Sequence, residues 1–298
     1  MKIELMEVTK RFGPHAALDA LSMAVPAGSV YGLVGPNGAG KTTAIRCVTG
    51  VLRPDAGAVL CSGEPVYENP AVKSRMVWIP DEPFFFPQAG VDDMMRFYVS
   101  EYPNFDAERF EKLAEAFPLE RDKPIRRFSR GMKKQAAFWL ALAARPDVLV
   151  LDEPVDGLDP VMRRQVWRLL LDDVAERGTT VLVSSHNLRE LEDVCDCVGI
   201  INGGKMLLER RLADLQENIC KLQLVLPEGA ALPEGLDVVH ESVSGRLRTL
   251  IVRGSAGTVT ERVAAAGPIY LDAVPLNLEE IFIYELGGEG HEVREIML

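Results

Sequence analysis

The chain has 298 residues, of which 47% are apolar and 26% charged, so it can bury a large core in one large domain plus a small one, or in two comparable domains. Its net charge of −11 argues against a protein that binds nucleic acid by neutralising phosphates, and no nucleic-acid partner is expected. The longest helix-like apolar stretch, residues 136–144, is far shorter than the ~20 residues that span a bilayer, so no membrane span is expected.

The start of the chain and its cysteines predict a cytoplasmic protein. Residues 1–5 enter a strand-like alternation at once, without the basic segment and apolar core of a secretion signal. The cysteines are odd in number and irregularly spaced, as expected of buried thiols in a reducing compartment: Cys47, Cys61, Cys195, Cys197 and Cys220. Cys195 and Cys197 could instead form half of a metal site, although no second Cys/His pair lies near them in the sequence.

A phosphate-binding motif follows the first strands. Strand patterns separated by turns occupy residues 3–8, 18–25 and 30–34. The motif fits G-x-x-x-x-G-K-[ST] and consists of Gly35, Pro36, Asn37, Gly38, Ala39, Gly40, Lys41, Thr42 and Thr43. A strand pattern precedes it and a helical pattern at 42–48 follows it. This context favours a phosphate-binding P-loop over a plain glycine-rich turn.

Each part of this motif suits a nucleotide phosphate. Glycines let backbone N–H groups close on phosphate oxygens, and the N-terminus of the following helix adds its positive dipole end. Lys41 is expected to reach the β- and γ-phosphates, and the Thr42 hydroxyl to bind Mg²⁺. Phe12, just before a turn, could stack on the nucleotide base, or it could be an ordinary aromatic residue of a sheet.

The pattern changes after a strand-like run at 72–79, which leads to Pro80 and Asp81. Amphipathic helical patterns at 91–98, 107–117 and 131–144 then predict a helical subdomain, about residues 88–145, inserted into an α/β core. The loop before it carries three consecutive phenylalanines, Phe84, Phe85 and Phe86. Because they cannot all point into one core, at least one is predicted to face outward and bind another protein. The alternative is that all three pack between the core and the helical subdomain.

Two carboxylates and a histidine follow the later strands. Residues 148–151 form an unbroken apolar run, typical of a strand buried on both faces of a parallel sheet, and Asp152 and Glu153 come directly after it. Such sheets bind ligands at the carboxyl ends of their strands. A further β-rich run at 179–184 is followed by His186. The phosphate-binding motif, these carboxylates and this histidine therefore indicate one shared chemistry.

The remaining patterns predict a division into two domains. Helices are expected at 161–175 and 187–194, a strand at 198–201 and a hairpin turn at 202–204. We predict that residues 1–216 form the nucleotide-binding domain and that 217–298 form a small α+β appendage. Its expected elements are strands at 221–226, 236–240 and 247–252 and helices at 259–266 and 278–286, with fraying from Gly287.

A signature-like stretch completes the set of motifs, and it consists of Phe128, Ser129, Arg130, Gly131, Met132, Lys133, Lys134 and Gln135. With the P-loop and the strand-end carboxylates, it resembles the nucleotide-binding subunit of an ABC transporter over about residues 1–220, the common form of the motif being Leu-Ser-Gly-Gly-Gln. The resemblance implies an α/β fold: a P-loop NTPase core with an antiparallel β subdomain and a helical insertion, followed here by the small C-terminal α+β domain.

The resemblance also implies roles for single residues. Ser129 and Gly131 would contact the γ-phosphate of ATP held by the P-loop of a second copy, so hydrolysis would require a head-to-tail homodimer. Asp152 would help to hold Mg²⁺, and Glu153 would polarise the attacking water as general base. The segment from Gly157 to Asp159 would cross the dimer seam. The switch histidine, bonded to the γ-phosphate and to the general base, would be His186.

Three departures from the family pattern stand out. Arg130 replaces the first glycine of the signature, and Met132 replaces its terminal glutamine. Asp81 stands where the family usually has glutamine, and its carboxylate is expected to meet Mg²⁺ or a water molecule. In these departures and in the sequence of residues 279–284, the chain resembles a bacterial exporter-type branch of the family.

The leading hypothesis is an ATP-binding, ATP-hydrolysing subunit that drives a separate integral membrane permease by dimer closure. It would be cytoplasmic and peripheral at the inner face of the membrane. One alternative is a soluble, non-transport ABC ATPase, but the tandem ATPase domains and long insertions of that class are not seen. A catalytically silent nucleotide-binding module is disfavoured by the retention of Lys41, Glu153 and His186.

Overall fold

A computed structural model describes residues 1–286, apart from the side chains of 215–217, 282, 285 and 286. The chain divides into two compact units, residues 1–187 with 194–209 and residues 188–193 with 210–298. The second unit thus begins before the predicted boundary and includes a short segment from within the first. The predicted fraying from Gly287 lies outside the described residues.

The strands of the first unit form two sheets. They are β1 (Ile3–Phe12), β2 (His15–Val25), β3 (Val30–Val34), β4 (Ala56–Cys61), β5 (Glu64–Pro65), β6 (Met76–Ile79), β7 (Val148–Asp152), β8 (Thr180–Ser185), β9 (Cys197–Asn202) and β10 (Lys205–Arg211). One sheet has the order β2-β1-β4-β5 and antiparallel pairing. The other has the order β10-β9-β3-β8-β7-β6, and β3 is parallel to β8 and β9, as β7 is to β6 and β8.

The apolar runs of the sequence explain the second sheet. Every residue of β3, β7 and β8 is buried, as predicted for strands covered on both faces. Because β3, β6, β7 and β8 run in the same direction, the residues that follow them emerge at one edge. The parallel sheet therefore gathers the P-loop, Asp81, Glu153 and His186 at its carboxyl edge.

The first unit also contains α1 (Lys41–Val48), α2 (Pro70–Lys73), α3 (Val91–Glu101), α4 (Ala107–Leu113), α5 (Arg130–Ala143), α6 (Pro160–Arg177) and a short 3-10 helix at Ile125–Arg127. Residues 88–145, all described, hold only helices and loops, as predicted. Trp139 of α5 stacks on Phe110 of α4 at 4.8 Å between ring centroids, and its indole N–H donates to the Phe110 carbonyl. This contact packs α5, which carries the signature stretch, against α4.

The second unit is a sheet with helices. Its elements are α7 (Leu212–Asn218), β11 (Ile219–Val225), β12 (Val238–Ser244), β13 (Leu247–Arg253), α8 (Ala256–Ala264), β14 (Tyr270–Val274), α9 (Leu278–Leu286) and a 3-10 helix at Leu188–Glu190. The sheet is antiparallel in the order β12-β13-β11-β14. Alternation along β11 buries Cys220, Leu222 and Leu224 in one core with Val259 and Val263 of α8.

Three details of the second unit differ from the sequence prediction. Helix α7 and strand β14 are additional elements, and the predicted helix at 187–194 is only the 3-10 turn. That segment binds α9 instead of continuing as a helix: Arg189 pairs with Glu279 at 2.8 Å, and Glu192 accepts the backbone N–H of Leu278. Among residues 1–286, no helix is both long and apolar enough to cross a membrane. All five cysteines are buried, as expected, and none of them forms a disulfide.

Candidate functional site

A cleft of about 490 Å³ opens at the carboxyl edge of the parallel sheet. It is lined by Phe12, His15, Ala17, Pro36, Asn37, Gly38, Gly40, Lys41, Thr42, Thr43, Asp81, Asp152 and Glu153. Most of the predicted nucleotide-site residues are therefore brought together in one place. Five predicted residues, although described, do not line this cleft. Gly35 and Ala39 belong to the P-loop, His186 contacts the cleft residue Glu153, and Ser129 and Gly131 lie in the signature stretch.

The P-loop is shaped by glycine and by the start of α1. Gly40 caps the helix with a φ of 110°, a left-handed conformation that favours glycine. A Cβ at this position would come within 2.6 Å of the Ala17 carbonyl oxygen, so a side chain would also clash with β2. The tight loop leaves the first backbone N–H groups of α1 at the cleft, where they can bind phosphate oxygens.

Lys41 is a nearly buried cation, 6% exposed. Its Nζ donates to the Gly35 carbonyl at 2.6 Å and lies 3.5 Å from Oε1 of Glu153. A cation so far from water needs negative partners, and phosphate oxygens can replace these two. The ammonium is therefore already at the floor of the cleft where a nucleotide phosphate would lie.

Asp152 offers an oriented carboxylate beside the P-loop. It is 2% exposed, and its Oδ1 accepts a hydrogen bond from the Ser184 hydroxyl at 2.6 Å. The register of β7 and β8 places these two residues opposite each other. Thr42 lines the same cleft with a hydroxyl group. A carboxylate and a hydroxyl are hard oxygen ligands, so this donor set fits Mg²⁺.

The side chains of Glu153 and His186 are joined by a hydrogen bond. Nδ1 of His186 lies 2.9 Å from Oε2 of Glu153. Glu153 has a φ of 46°, which is uncommon for a residue with a side chain, and such conformations cluster at functional sites. Ligand atoms of Asp156 lie within 4.8 Å of those of Glu153 and His186, which adds a further carboxylate to the cluster. The pair can take up a proton and contact a phosphate at the same time.

The signature stretch forms the N-terminus of α5. Ser129 is exposed, and its hydroxyl accepts the Met132 N–H at 3.2 Å as the helix cap. A Cβ on Gly131 would come within 2.6 Å of the Gly157 carbonyl oxygen, so glycine is required for this close approach. Gly157 opens the predicted seam segment, which ends at Asp159, the N-cap of α6. The signature and the predicted seam segment therefore lie against each other within the subunit.

Two of the departures from the family pattern face each other. Asp81 Oδ1 accepts a hydrogen bond from Arg130 at 2.6 Å and lies 3.3 Å from Nζ of Lys134. Burial alone would raise the pKa of the Asp81 carboxyl, but Arg130 and Lys134 outweigh that effect and hold the pKa below its ordinary value. The extra negative charge in the cleft is therefore neutralised within the subunit.

Phe12 lies at the cleft mouth, 50% exposed, with the Lys10 ammonium 5.9 Å from its ring centroid. One ring so placed can stack on a base. Sequence reasoning missed His15, Ser184 and Lys134. A signal existed for Ser184, which lies near the end of the strand before His186, but the contact of Lys134 depends on how α5 packs and could not be read from spacing.

Comparisons with known proteins agree on one family. A family model described as ABC transporter matches residues 18–156. The chain is 30% identical to the ABC transporter ATP-binding protein YtrB of Bacillus subtilis over 290 residues, covering 96% of this chain and 99% of that protein. It is 32% identical over 299 residues to the Nod factor export ATP-binding protein I of Burkholderia orbicola, covering 96% and 97%.

The same fold is found among solved structures. A dimeric ATP-binding cassette, solved in a post-hydrolysis state with ADP and Pi, superposes with a TM-score of 0.64 at 19% identity, covering 70% of this chain and 98% of that one. At this identity the similarity shows a shared fold only. The superposed part of the chain is about as long as the first unit.

Proposed function

This chain belongs to the ABC transporter family as an ATP-binding and ATP-hydrolysing subunit, and we propose that Lys41, Glu153 and His186 carry out its hydrolysis. Lys41 exchanges its present partners for the β- and γ-phosphates. Glu153 takes a proton from the attacking water, and His186 bonds the γ-phosphate while it orients Glu153. The observation that supports these roles most strongly is the 2.9 Å contact between His186 and Glu153 beside the P-loop.

Thr42 and Asp152 are the residues that would hold Mg²⁺ with the nucleotide. When bound, the ion neutralises charge on the β- and γ-phosphates. Arg130 and Lys134 both contact the same oxygen of Asp81, Oδ1, so its other oxygen would be available to the ion or to a water molecule. Phe12 provides the stacking face for adenine.

We further propose that Ser129 and Gly131 act in trans, on ATP in the cleft of a second copy. Two observations support this arrangement. Neither residue lines the cleft of its own chain, and Ser129 lies exposed at the N-terminus of α5, where backbone N–H groups suit a γ-phosphate. A dimer of the same fold is known among solved cassettes. The functional unit is then a head-to-tail homodimer with two shared sites.

A mixing experiment tests this arrangement. We expect Lys41→Ala and Ser129→Ala subunits to be inactive alone, because each homodimer contains two defective sites. A heterodimer contains one site with both defects and one intact site, so the mixture should recover part of the parent ATPase rate. Subunits with different tags, purified in tandem, give the heterodimer. Full activity of Ser129→Ala alone, or no recovery in the purified heterodimer, would contradict the trans arrangement.

The subunit is proposed to work at the cytoplasmic face of the membrane, where ATP is available, and to drive a separate integral membrane permease. The surface offered to that partner is a phenylalanine patch, Phe84, Phe86 and Phe97. Phe84 is 77% exposed, and its ring lies 6.3 Å from that of Phe86, which lies 5.2 Å from that of Phe97 on α3. The prediction that at least one of the consecutive phenylalanines faces outward is confirmed. An exposed aromatic cluster that begins three residues after Asp81 in the chain suits a partner helix.

We expect Phe84→Ala to abolish co-purification with the co-expressed permease while the melting temperature and the ATP dissociation constant stay unchanged. The reason is that an exposed ring contributes little to folding, whereas truncation of a buried phenylalanine costs about 3–5 kcal/mol. Met6→Ala is the control, since Met6 is an exposed apolar residue of β1 outside the patch. If Phe84→Ala keeps the permease, or if every patch variant that loses the permease is also destabilised, docking at the patch is wrong.

A further inference from the structure

Lys134 is a buried cation to which neither ATP binding nor the proposed proton transfer assigns a role. It lies in α5 and is 0% exposed. Its Nζ donates to the backbone carbonyl of Glu153, and its charge is balanced by Asp81 at 3.3 Å. Burial lowers the pKa of the Lys134 ammonium, and the Asp81 carboxylate opposes that shift. A fully buried lysine is rare unless it is paired, so this arrangement requires both partners.

The peptide groups on both sides of Glu153 are fixed. The Glu153 N–H donates to the carbonyl and the hydroxyl of Ser184, each at 3.2 Å. On the other side, its carbonyl accepts the hydrogen bond from Lys134. Between these two anchors the residue has a left-handed φ of 46°, which an L-residue adopts only when its surroundings compensate for the strain.

We propose that Lys134 is a positioning residue for ATP hydrolysis: it holds the Glu153 peptide so that the side chain points at His186, with Asp81 as its counter-ion. The inference rests on the proposed role of Glu153. It also explains two departures together, because Asp81 supplies the charge that Lys134 needs and Arg130 balances the same carboxylate. The signature helix is thereby tied to the general base of its own subunit.

The test is Lys134→Met, which keeps the length of the side chain and removes its charge and donors. We expect kcat to fall tenfold or more, while the dissociation constant of a fluorescent ATP analogue stays within threefold of the parent value. Lys112→Met is the matched control, since Lys112 makes an exposed ion pair with Glu108 in the same helical subdomain. Asp81→Asn should also lower kcat, and adding it to Lys134→Met should cause a smaller loss than it causes in the parent, since the two residues are coupled.

The ATPase rate of each variant is divided by the concentration of nucleotide-binding sites, which is measured by titration with the same analogue. Misfolded protein therefore does not lower the apparent kcat. Lys134→Gln keeps an N–H donor and should therefore retain more activity than Lys134→Met. If Lys134→Met does not fold, the kcat of Lys134→Gln is compared with that of the parent instead. A kcat per site within twofold of the parent, with only a lower melting temperature, would show a structural role and overturn the proposal. Glu153→Gln is measured beside these variants: if it leaves kcat unchanged, the role of Glu153 itself is wrong, and with it the proposed function.

Discussion

Glu153→Gln should bind ATP as tightly as the parent protein and hydrolyse it at least a hundredfold more slowly. General base catalysis contributes roughly 10²–10⁴-fold, and an amide cannot accept the proton of the attacking water. The amide keeps the shape of the side chain and can still bond His186, so the cleft should remain intact. Steady-state ATPase assays and equilibrium binding of ATP separate the two effects.

Glu108→Gln is the control for this substitution, because Glu108 is an exposed residue that pairs with Lys112 on the helical subdomain. It should leave both turnover and binding unchanged. Turnover of Glu153→Gln within a few-fold of the parent would remove Glu153 from the mechanism. Asp156 is then the next candidate, since its carboxylate belongs to the same cluster.

Lys41→Ala should weaken ATP binding by about a hundredfold or more. The ammonium is nearly buried at the floor of the cleft, and loss of charged hydrogen bonds to phosphates costs roughly 3 kcal/mol in such a place. The substitution also leaves the Gly35 carbonyl and the Glu153 carboxylate without this partner. Titration with ATP, followed calorimetrically, measures the loss directly.

Lys2→Ala is the control, because Lys2 pairs with Glu4 on the surface of the first unit. Its ATP affinity should equal that of the parent. Parent-like ATP affinity in Lys41→Ala, with the fold shown intact by circular dichroism, would mean that the P-loop lysine does not bind the phosphates.

The centre of the first unit can be predicted well because its signals are local. An apolar run with no polar alternation is typical of a strand buried on both faces, which places β7 and the carboxylates behind it. The phosphate-binding motif likewise carries its own strand–loop–helix context. Because parallel strands bring their carboxyl ends to one edge of a sheet, these two signals, with the β-rich run before His186, predict that Lys41, Glu153 and His186 lie at the same edge.

Other features depend on packing and could not be predicted in this way. The contact between Asp81 and Arg130 joins residues 49 positions apart and requires that α5 present one particular face to β6. Similarly, the segment after His186 reads as helical, but its side chains bind α9 within the second unit. One useful signal was present: Asp81 and Arg130 depart from the family pattern with opposite charges, which could have suggested that they pair.

The central claim is that each cleft is completed by a second copy of the chain when ATP is bound. The most direct measurement is the mass of Glu153→Gln in solution, by sedimentation equilibrium, with and without saturating ATP and Mg²⁺. Slow hydrolysis should trap the closed form, so we predict one chain of 32.8 kDa without nucleotide and twice that mass with ATP. A single-chain mass at saturating ATP, in protein shown to bind the nucleotide, would contradict this claim.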